Sequence, residues 1–221
     1  PAQDVAFTIS NLTIPAKKNI DIPTANPFKC YFYPPAFDKE KLPIPFLLPP
    51  GGSNLMNIVS MMPKLKEELR TIFNDYGLKY VFDTNSQEIK VMKEKKPGEI
   101  FLIPFHSIAD TLQRMIFYKA AIESNSESAL VFEEPEAHSY PPFISKVTQD
   151  IIQSDRNQFF ITTHSPYVVN DFLELPSDEL AIYLVDFRNG ETFVKRASDT
   201  EVQEMYEYGI DLFFNTETFL R

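Results

Sequence analysis

Apolar residues recur at helical spacing in the stretch from Leu55 to Tyr76. Leu65, Leu69, Ile72 and Phe73 fall on one face of the helix that this spacing predicts. A Gly-Gly-Ser-Asn sequence precedes the stretch and an Asn-Asp-Tyr-Gly sequence closes it, and both are typical of turns. We therefore predict a single helix here, with its apolar face packed on a core.

Three short runs of strand-like composition follow, separated by turn-forming residues: Lys79 to Asp83, Glu88 to Lys93 and Glu99 to Pro104. Runs of this length joined by tight turns predict an antiparallel meander. Residues 1–50, in contrast, are rich in proline and aromatic residues and contain only short β-like runs such as Val5 to Ile9. They are predicted to be irregular or to form an edge strand.

The second half of the chain alternates helix-like and strand-like segments. This alternation predicts an α/β fold in which parallel strands are joined by crossover helices. The predicted helices are Asp110 to Ser124, which is expected to be amphipathic, Phe143 to Ser154 and Pro166 to Leu173. The predicted strands are Ala129 to Glu133, Gln158 to Thr162 and Leu180 to Phe187.

Composition narrows the classes of function. A formal net charge of −10 opposes phosphate backbones, so we do not expect DNA contact through this acidic chain. The single cysteine, Cys30, excludes an internal disulfide and a multi-cysteine zinc site, so a metal ion would bind through oxygen. No apolar run approaches the roughly 20 residues that cross a bilayer, and no signal peptide is visible, so we expect a cytoplasmic location without membrane contact.

Two adjacent carboxylates, Glu133 and Glu134, stand at the C-terminal end of a continuous apolar strand. Charges are costly there unless a cation meets them, and open α/β sheets bind ligands at this edge. One carboxylate can hold a hard cation while its neighbour reaches a water beside it, which suits magnesium-assisted hydrolysis. The alternative is an ordinary acidic turn before Pro135.

A histidine follows the next predicted strand. Because parallel neighbours end at the same edge, His164 is expected beside Glu134, where an imidazole can donate to a terminal phosphate or to the attacking water. The alternative is a helix start, with Ser165 as N-cap and Pro166 at the first helical position. A third candidate lies at the start of the predicted helix Asp110 to Ser124. There Ser107 either caps the helix, with Asp110 three residues later, or faces a phosphate.

In order and spacing, these segments resemble those of ABC-type ATPases of the OLD/RecF-like group. Leu130 to His138 resembles the Walker B segment, Ile161 to Pro166 the switch-histidine segment and Phe105 to Arg114 the signature loop. The segment from Gly51 resembles the start of the lid insertion of that group. The resemblance covers roughly residues 51 to 175, and it implies the C-terminal half of a parallel-sheet P-loop NTPase.

The resemblance also implies roles for single residues, with ATP and Mg²⁺ as cofactors. Glu133 would hold Mg²⁺, Glu134 would polarise the attacking water and His164 would sense the γ-phosphate. The residues implied to contact ATP bound by the opposite protomer of a homodimer are Ser107, Ala109 and Asp110. Glu133 replaces the more usual aspartate, and Ala109 replaces the glycine typical of signature loops.

The phosphate-binding loop of this group is missing from the sequence. No Gly-x-x-x-x-Gly-Lys-Ser/Thr occurs, and Gly51-Gly52 is the one adjacent pair among six glycines. We expect that loop in a Walker A half N-terminal to this segment, and we expect the isolated chain to be inactive. The predicted division is an N-terminal segment (1–50), a lid-like helix with the meander (51–104) and the C-terminal lobe of the ATPase (105–221).

Three hypotheses about function remain open from the sequence. The first is an ATPase head of a genome-maintenance or phage-defence system, with a possible separate effector protein. The second is an ATPase-like scaffold or interaction module that does not hydrolyse ATP. The third is a metal hydrolase unrelated to nucleotides, with a site made from Glu133, Glu134, Glu136 and His138.

Overall fold

The computed structural model describes residues 26–34, 44–86, 88–176, 178–209, 212, 213 and 215. Residues 27–171 form one compact unit, and the described residues from Phe172 onward belong to a second. The predicted run Val5 to Ile9 lies outside the described residues. The three-part division by residue range stays a prediction.

Among its described residues, the first unit contains two sheets and five helices, the last of which ends one residue beyond the unit, at Phe172. In chain order its elements are β1 (Phe28–Tyr31), α1 (Leu55–Met61), α2 (Pro63–Asp75), β2 (Lys79–Asp83), β3 (Glu88–Lys96), β4 (Glu99–Pro104), a 3-10 turn (Phe105–Ser107), α3 (Asp110–Ser124), β5 (Ser128–Glu133), α4 (Pro141–Ile152), β6 (Asn157–Thr162) and α5 (Pro166–Phe172).

The parallel sheet has the order β1-β5-β6. Strands β5 and β6 pair in parallel with Glu133 opposite Thr162, which confirms the predicted pairing and the α/β fold class. Strand β1 pairs in parallel with the other side of β5. Its place in this sheet was not predicted, because four residues between prolines carry too little periodicity to identify a strand.

The antiparallel sheet confirms the predicted meander. Its order is β2-β3-β4, with Tyr80 opposite Val91 and Val91 opposite Ile103. Strand β3 extends beyond the predicted end at Lys93, and a shift in register between Glu94 and Lys96 accommodates the extra residues.

The predicted helix from Leu55 to Tyr76 is two helices. Pro63 begins α2, and the residue before it, Met62, is extended because a proline ring disfavours helical geometry in the preceding residue. The predicted apolar face is confirmed within α2, where Leu65, Leu69, Ile72 and Phe73 are all buried.

Helix α3 is buried on nearly every side, so the expectation of an amphipathic helix was wrong. Its buried residues are Leu112, Gln113, Met115, Ile116, Phe117, Tyr118, Lys119, Ala120, Ala121 and Ile122. Aromatic rings join it to the sheet: the ring of Phe117 lies 6.2 Å from that of Tyr31 in β1, and the ring of Tyr118 lies 5.1 Å from that of Phe132 in β5. These contacts fix the middle of α3 against β1 and against the end of β5.

The second unit corrects one prediction. The run from Leu180 forms β7 (Tyr183–Arg188), which pairs antiparallel with β8 (Glu191–Arg196) in a sheet of its own. The predicted parallel strand is therefore wrong. Asn189 and Gly190 both have positive φ, as a two-residue hairpin turn requires, and an Asn-Gly pair is the sequence signal for that turn.

Helix α6 (Asp199–Tyr208) completes the described elements of the second unit. Ser198 and Glu201 form a capping box at its start, and Gly209 ends it in the left-handed conformation. In the described ranges, no helix combines the length and apolar character required to cross a membrane.

Candidate functional site

Strand β5 ends at the predicted pair of glutamates. Glu133 is its last residue and is exposed, whereas Glu134 has left the strand with φ of 40°. The N–H of Glu134 donates to the carbonyl oxygen of Thr162 at 3.0 Å, so the turn is tied to the end of β6. Left-handed geometry costs a non-glycine residue about 1 kcal/mol or more, and such strain is frequent at functional sites.

The side chains of Glu134 and His164 meet at this edge. Nε2 of His164 lies 3.3 Å from Oε1 of Glu134, and the two side chains are 55% and 41% exposed. The predicted proximity of His164 to Glu134 is therefore confirmed. Both groups remain open to a ligand, and their assigned roles stay predictions.

A second carboxylate, Glu136, holds the segment that carries the histidine. Its Oε1 accepts from the hydroxyl of Thr163 at 2.7 Å and from the backbone N–H of His164 at 2.8 Å. The Thr163 oxygen in turn accepts from the N–H of Ser165 at 3.0 Å. Sequence reasoning did not find this role, although the Glu-Pro-Glu spacing places both glutamates in the same turn.

Glu133 stands apart from this cluster. Its carbonyl oxygen accepts from the hydroxyl of Tyr118 at 3.4 Å, while its exposed carboxylate forms no ion pair among the described residues. The pKa of the Cys30 thiol in β1 is raised by partial burial, which is the larger cause, and by the charge of Glu133. An exposed, unpaired carboxylate at this edge is chemically suited to a hard cation.

The metal-hydrolase hypothesis requires several of Glu133, Glu134, Glu136 and His138 to bind one metal ion. In the part of the chain that the structure describes, no group of three or more His, Cys, Asp or Glu side chains is placed to hold a metal ion. His138 is exposed with φ of 56°, and Glu136 uses Oε1 for Thr163 and His164. The third hypothesis is left without structural support.

The signature-like segment lies at the start of α3. Ser107 ends the 3-10 turn, and Ala109, Asp110 and Ser107 are all exposed. Ala109 is the N-cap and no side chain caps the helix, so the alternative of a Ser107 cap was wrong. Asp110 instead pairs with Arg114 one turn later, at 2.8 Å.

Three contacts connect this helix start to its surroundings. The hydroxyl of Tyr33 donates to Oε1 of Gln113 at 2.9 Å, and the guanidinium of Arg114 lies 4.5 Å from the centre of the Tyr33 ring. The N–H of Tyr140, which follows the Glu134 turn, donates to Oγ1 of Thr111 at 2.8 Å. The end of β5 and the signature-like segment are thus joined through the start of α3.

Part of this chain is similar to known proteins. Residues 34–170 match the family model AAA_21, described as "AAA domain, putative AbiEii toxin, Type IV TA system". No curated protein matches the chain. One solved structure, described under "Structural biochemistry of ATP-driven dimerization and DNA stimulated activation of SMC ATPases", is similar with 15% identity and a TM-score of 0.46, over 69% of this chain and 96% of that one.

Proposed function

We propose, on the premise that this chain belongs to the AAA_21 family of AAA domains, that it forms the water-activating half of an ATP-hydrolysing head. The observation that carries the proposal is the contact of 3.3 Å between Glu134 and His164 at the C-terminal ends of two parallel neighbours. Ligands of open α/β sheets bind at that edge.

The two side chains have complementary chemistry. An ionised carboxylate accepts hydrogen bonds, so Glu134 would orient a water and take up its proton. A neutral imidazole carries one donor nitrogen and one acceptor, so His164 would donate to an anionic oxygen beside that water. Their exposure leaves room for a water and a phosphate, and the left-handed turn at Glu134 directs its side chain toward β6.

The donor set at this edge fits Mg²⁺ bound together with ATP. Magnesium usually takes one or two protein carboxylates and fills its other positions with phosphate oxygens and waters. Glu133 would supply that carboxylate, which is compatible with the absence of a larger ligand cluster among the described residues. When bound, Mg-ATP supplies the terminal phosphoryl group and neutralises the charge that develops on it.

We assign the signature-like segment to the ATP of a second protomer. Ser107, Ala109 and Asp110 lie at an uncapped helix start, where exposed N–H groups and the helix dipole favour a phosphate. The head would therefore act as a homodimer. Because Thr111 accepts from Tyr140, a change at this segment can reach the turn at Glu134 in the same protomer.

The phosphate-binding loop would come from a Walker A half outside this sequence. Within the described residues, β6 pairs with β5 alone, so its second edge can take a further strand. The −10 charge argues against DNA contact through this chain, and a separate effector protein would carry any further activity. We place the head in a cytoplasmic genome-maintenance or phage-defence system.

The test is ATP turnover by the complete protein, including its phosphate-binding half. We expect Glu134→Gln to slow hydrolysis by about 10²-fold or more while ATP binding is retained, because a general base contributes about 10²- to 10⁴-fold. Glu127→Gln is the matched control, since Glu127 is an exposed glutamate just before the opposite end of β5 and also has positive φ. Binding without turnover in the unmodified protein would instead support the scaffold hypothesis.

A further inference from the structure

Glu136 has an unusual environment for a carboxylate in a surface turn. Its Oε1 accepts two hydrogen bonds from the switch segment, while its Oε2 is buried and has no hydrogen-bond partner among the described residues. Removing a carboxylate oxygen from water carries a large desolvation cost. The side chain is therefore kept in this position by its contacts with Thr163 and His164.

The contacts of Glu136 fix three consecutive residues. Thr163 is held through its hydroxyl, His164 through its backbone N–H, and Ser165 through the oxygen of Thr163. Hydrogen bonds to an ionised acceptor are shorter and about twice as strong as neutral ones. Glu136 thus anchors the backbone that carries the imidazole to the turn after β5 through two hydrogen bonds.

The contact between His164 and Glu134 cannot provide this anchoring by itself. It is longer, at 3.3 Å, and both side chains are about half exposed, so water competes for the same hydrogen-bonding groups. The two contacts of Glu136 are shorter, at 2.7 and 2.8 Å, and the one with the Thr163 hydroxyl is partly buried. They hold the backbone of His164, which limits the directions in which the imidazole can face Glu134.

We propose that Glu136 is a positioning residue: its carboxylate anchors Thr163 to Ser165 and thereby sets the distance from the His164 imidazole to Glu134. This role rests on the proposed function for its catalytic consequence, but its structural part does not. Because Oε1 is already engaged by two donors, Glu136 is not a candidate for the water-activating base.

The structural part is tested on this chain by amide hydrogen exchange, followed residue by residue by NMR. We expect Glu136→Ala to speed exchange of the His164 and Ser165 amides by about tenfold or more, with Phe159 and Ile161 in β6 unchanged. Glu136→Gln keeps an accepting oxygen, so exchange at these amides should stay within about threefold of the unmodified chain. Asp155→Ala, at an exposed position before β6, is the control for loss of a carboxylate.

Thr163→Val provides a second variant that keeps the carboxylate in place. It removes the oxygen that accepts from Ser165 but leaves the contact between Glu136 and the His164 N–H. We therefore expect faster exchange at Ser165 and a smaller change at His164. Unchanged exchange at both amides in Glu136→Ala, or equal acceleration throughout β6, would overturn the positioning role.

The catalytic part is tested on the complete protein. We expect Glu136→Ala to lower kcat for ATP by about tenfold or more with little change in KM, and Glu136→Gln to restore most of the rate. Faster exchange at His164 with an unchanged kcat would refute the catalytic consequence. If the unmodified protein binds ATP but does not hydrolyse it, the proposed function fails, while the exchange result still decides whether Glu136 anchors the segment.

Discussion

Replacing Lys119 by methionine removes a charge from the interior of the first unit while keeping an unbranched side chain of similar length. Lys119 lies on α3, is 5% exposed, and pairs with Glu68 of α2 at 3.0 Å and with Asp150 of α4. The variant leaves these two carboxylates without their shared cation. Three helices therefore lose a common electrostatic contact.

The size of the effect follows from how buried the partners are. Removing one member of a fully buried ion pair costs about 3–5 kcal/mol, because a buried charge is left uncompensated. The side chains of Glu68 and Asp150 are 32% and 20% exposed, so water can partly solvate them. We therefore expect a loss of about 2–3 kcal/mol in the free energy of unfolding at neutral pH.

The pH dependence of this loss gives a sharper test. Burial raises the pKa of Asp150, and the hydrogen bond from Lys119 opposes that rise, so the variant should raise the pKa further. An acid whose pKa is raised in the folded state contributes stability that is complete below its unfolded pKa and is lost as pH rises through the folded value. The deficit of Lys119→Met should thus shrink as pH falls from 7 toward 4.

The assay is urea unfolding followed by circular dichroism at several pH values. With a slope of about 2 kcal/mol/M, the expected loss lowers the midpoint by about 1–1.5 M at pH 7. Lys146→Met, at an exposed position on α4, should change it little. A deficit under about 0.5 kcal/mol, or one that is constant with pH, would show that Lys119 does not compensate the charges of Glu68 and Asp150.

Two further variants test local features of the fold. Gly52→Ala should lower the free energy of unfolding by about 1–3 kcal/mol in the same urea assay. Gly52 has φ of +68°, and an added Cβ would lie 2.7 Å from a ring carbon of Phe117. An unchanged unfolding midpoint would contradict this close approach. Ser198→Ala should cost about 1 kcal/mol and speed amide exchange in the first turn of α6, because it removes the capping bond to the Glu201 N–H. The hydrogen bond from the Ser198 backbone, which is the largest cause, and the one from Lys195 lower the pKa of Glu201 to about 2. The stability that Glu201 contributes is therefore present above pH 4.5 and is lost as pH falls toward 2. Amide exchange in α6, measured across that pH range, can check this.

The sequence predicted those parts of the fold that depend on local periodicity. The buried face of α2, the meander and the parallel pairing of β5 with β6 all follow from spacing and from crossover topology. The break at Met62 was also readable, since Pro63 stands inside the helical pattern. The Asn-Gly signal for the β7–β8 hairpin was present but was outweighed by the expected alternation of helix and strand.

Other features depend on tertiary contacts that spacing does not encode. Strand β1 is identified by its pairing with β5, and the burial of α3 on nearly all sides follows from the elements that surround it. At the site, the proximity of Glu134 and His164 was predictable, because parallel neighbouring strands end at the same edge of the sheet. The contacts of Glu136 could not be predicted, because they depend on where the turn that starts at Glu134, with its positive φ, places the next carboxylate.

In the proposed function, Glu134 and His164 act on the same water and terminal phosphate. A double-mutant cycle on ATP turnover by the complete protein, with Glu134→Gln, His164→Ala and the pair combined, measures whether they do. Residues that act as a unit are strongly non-additive, so we predict that the double variant turns over ATP at about the rate of the slower single variant. Two losses that simply multiply would show that the residues act independently and do not share one water and phosphate.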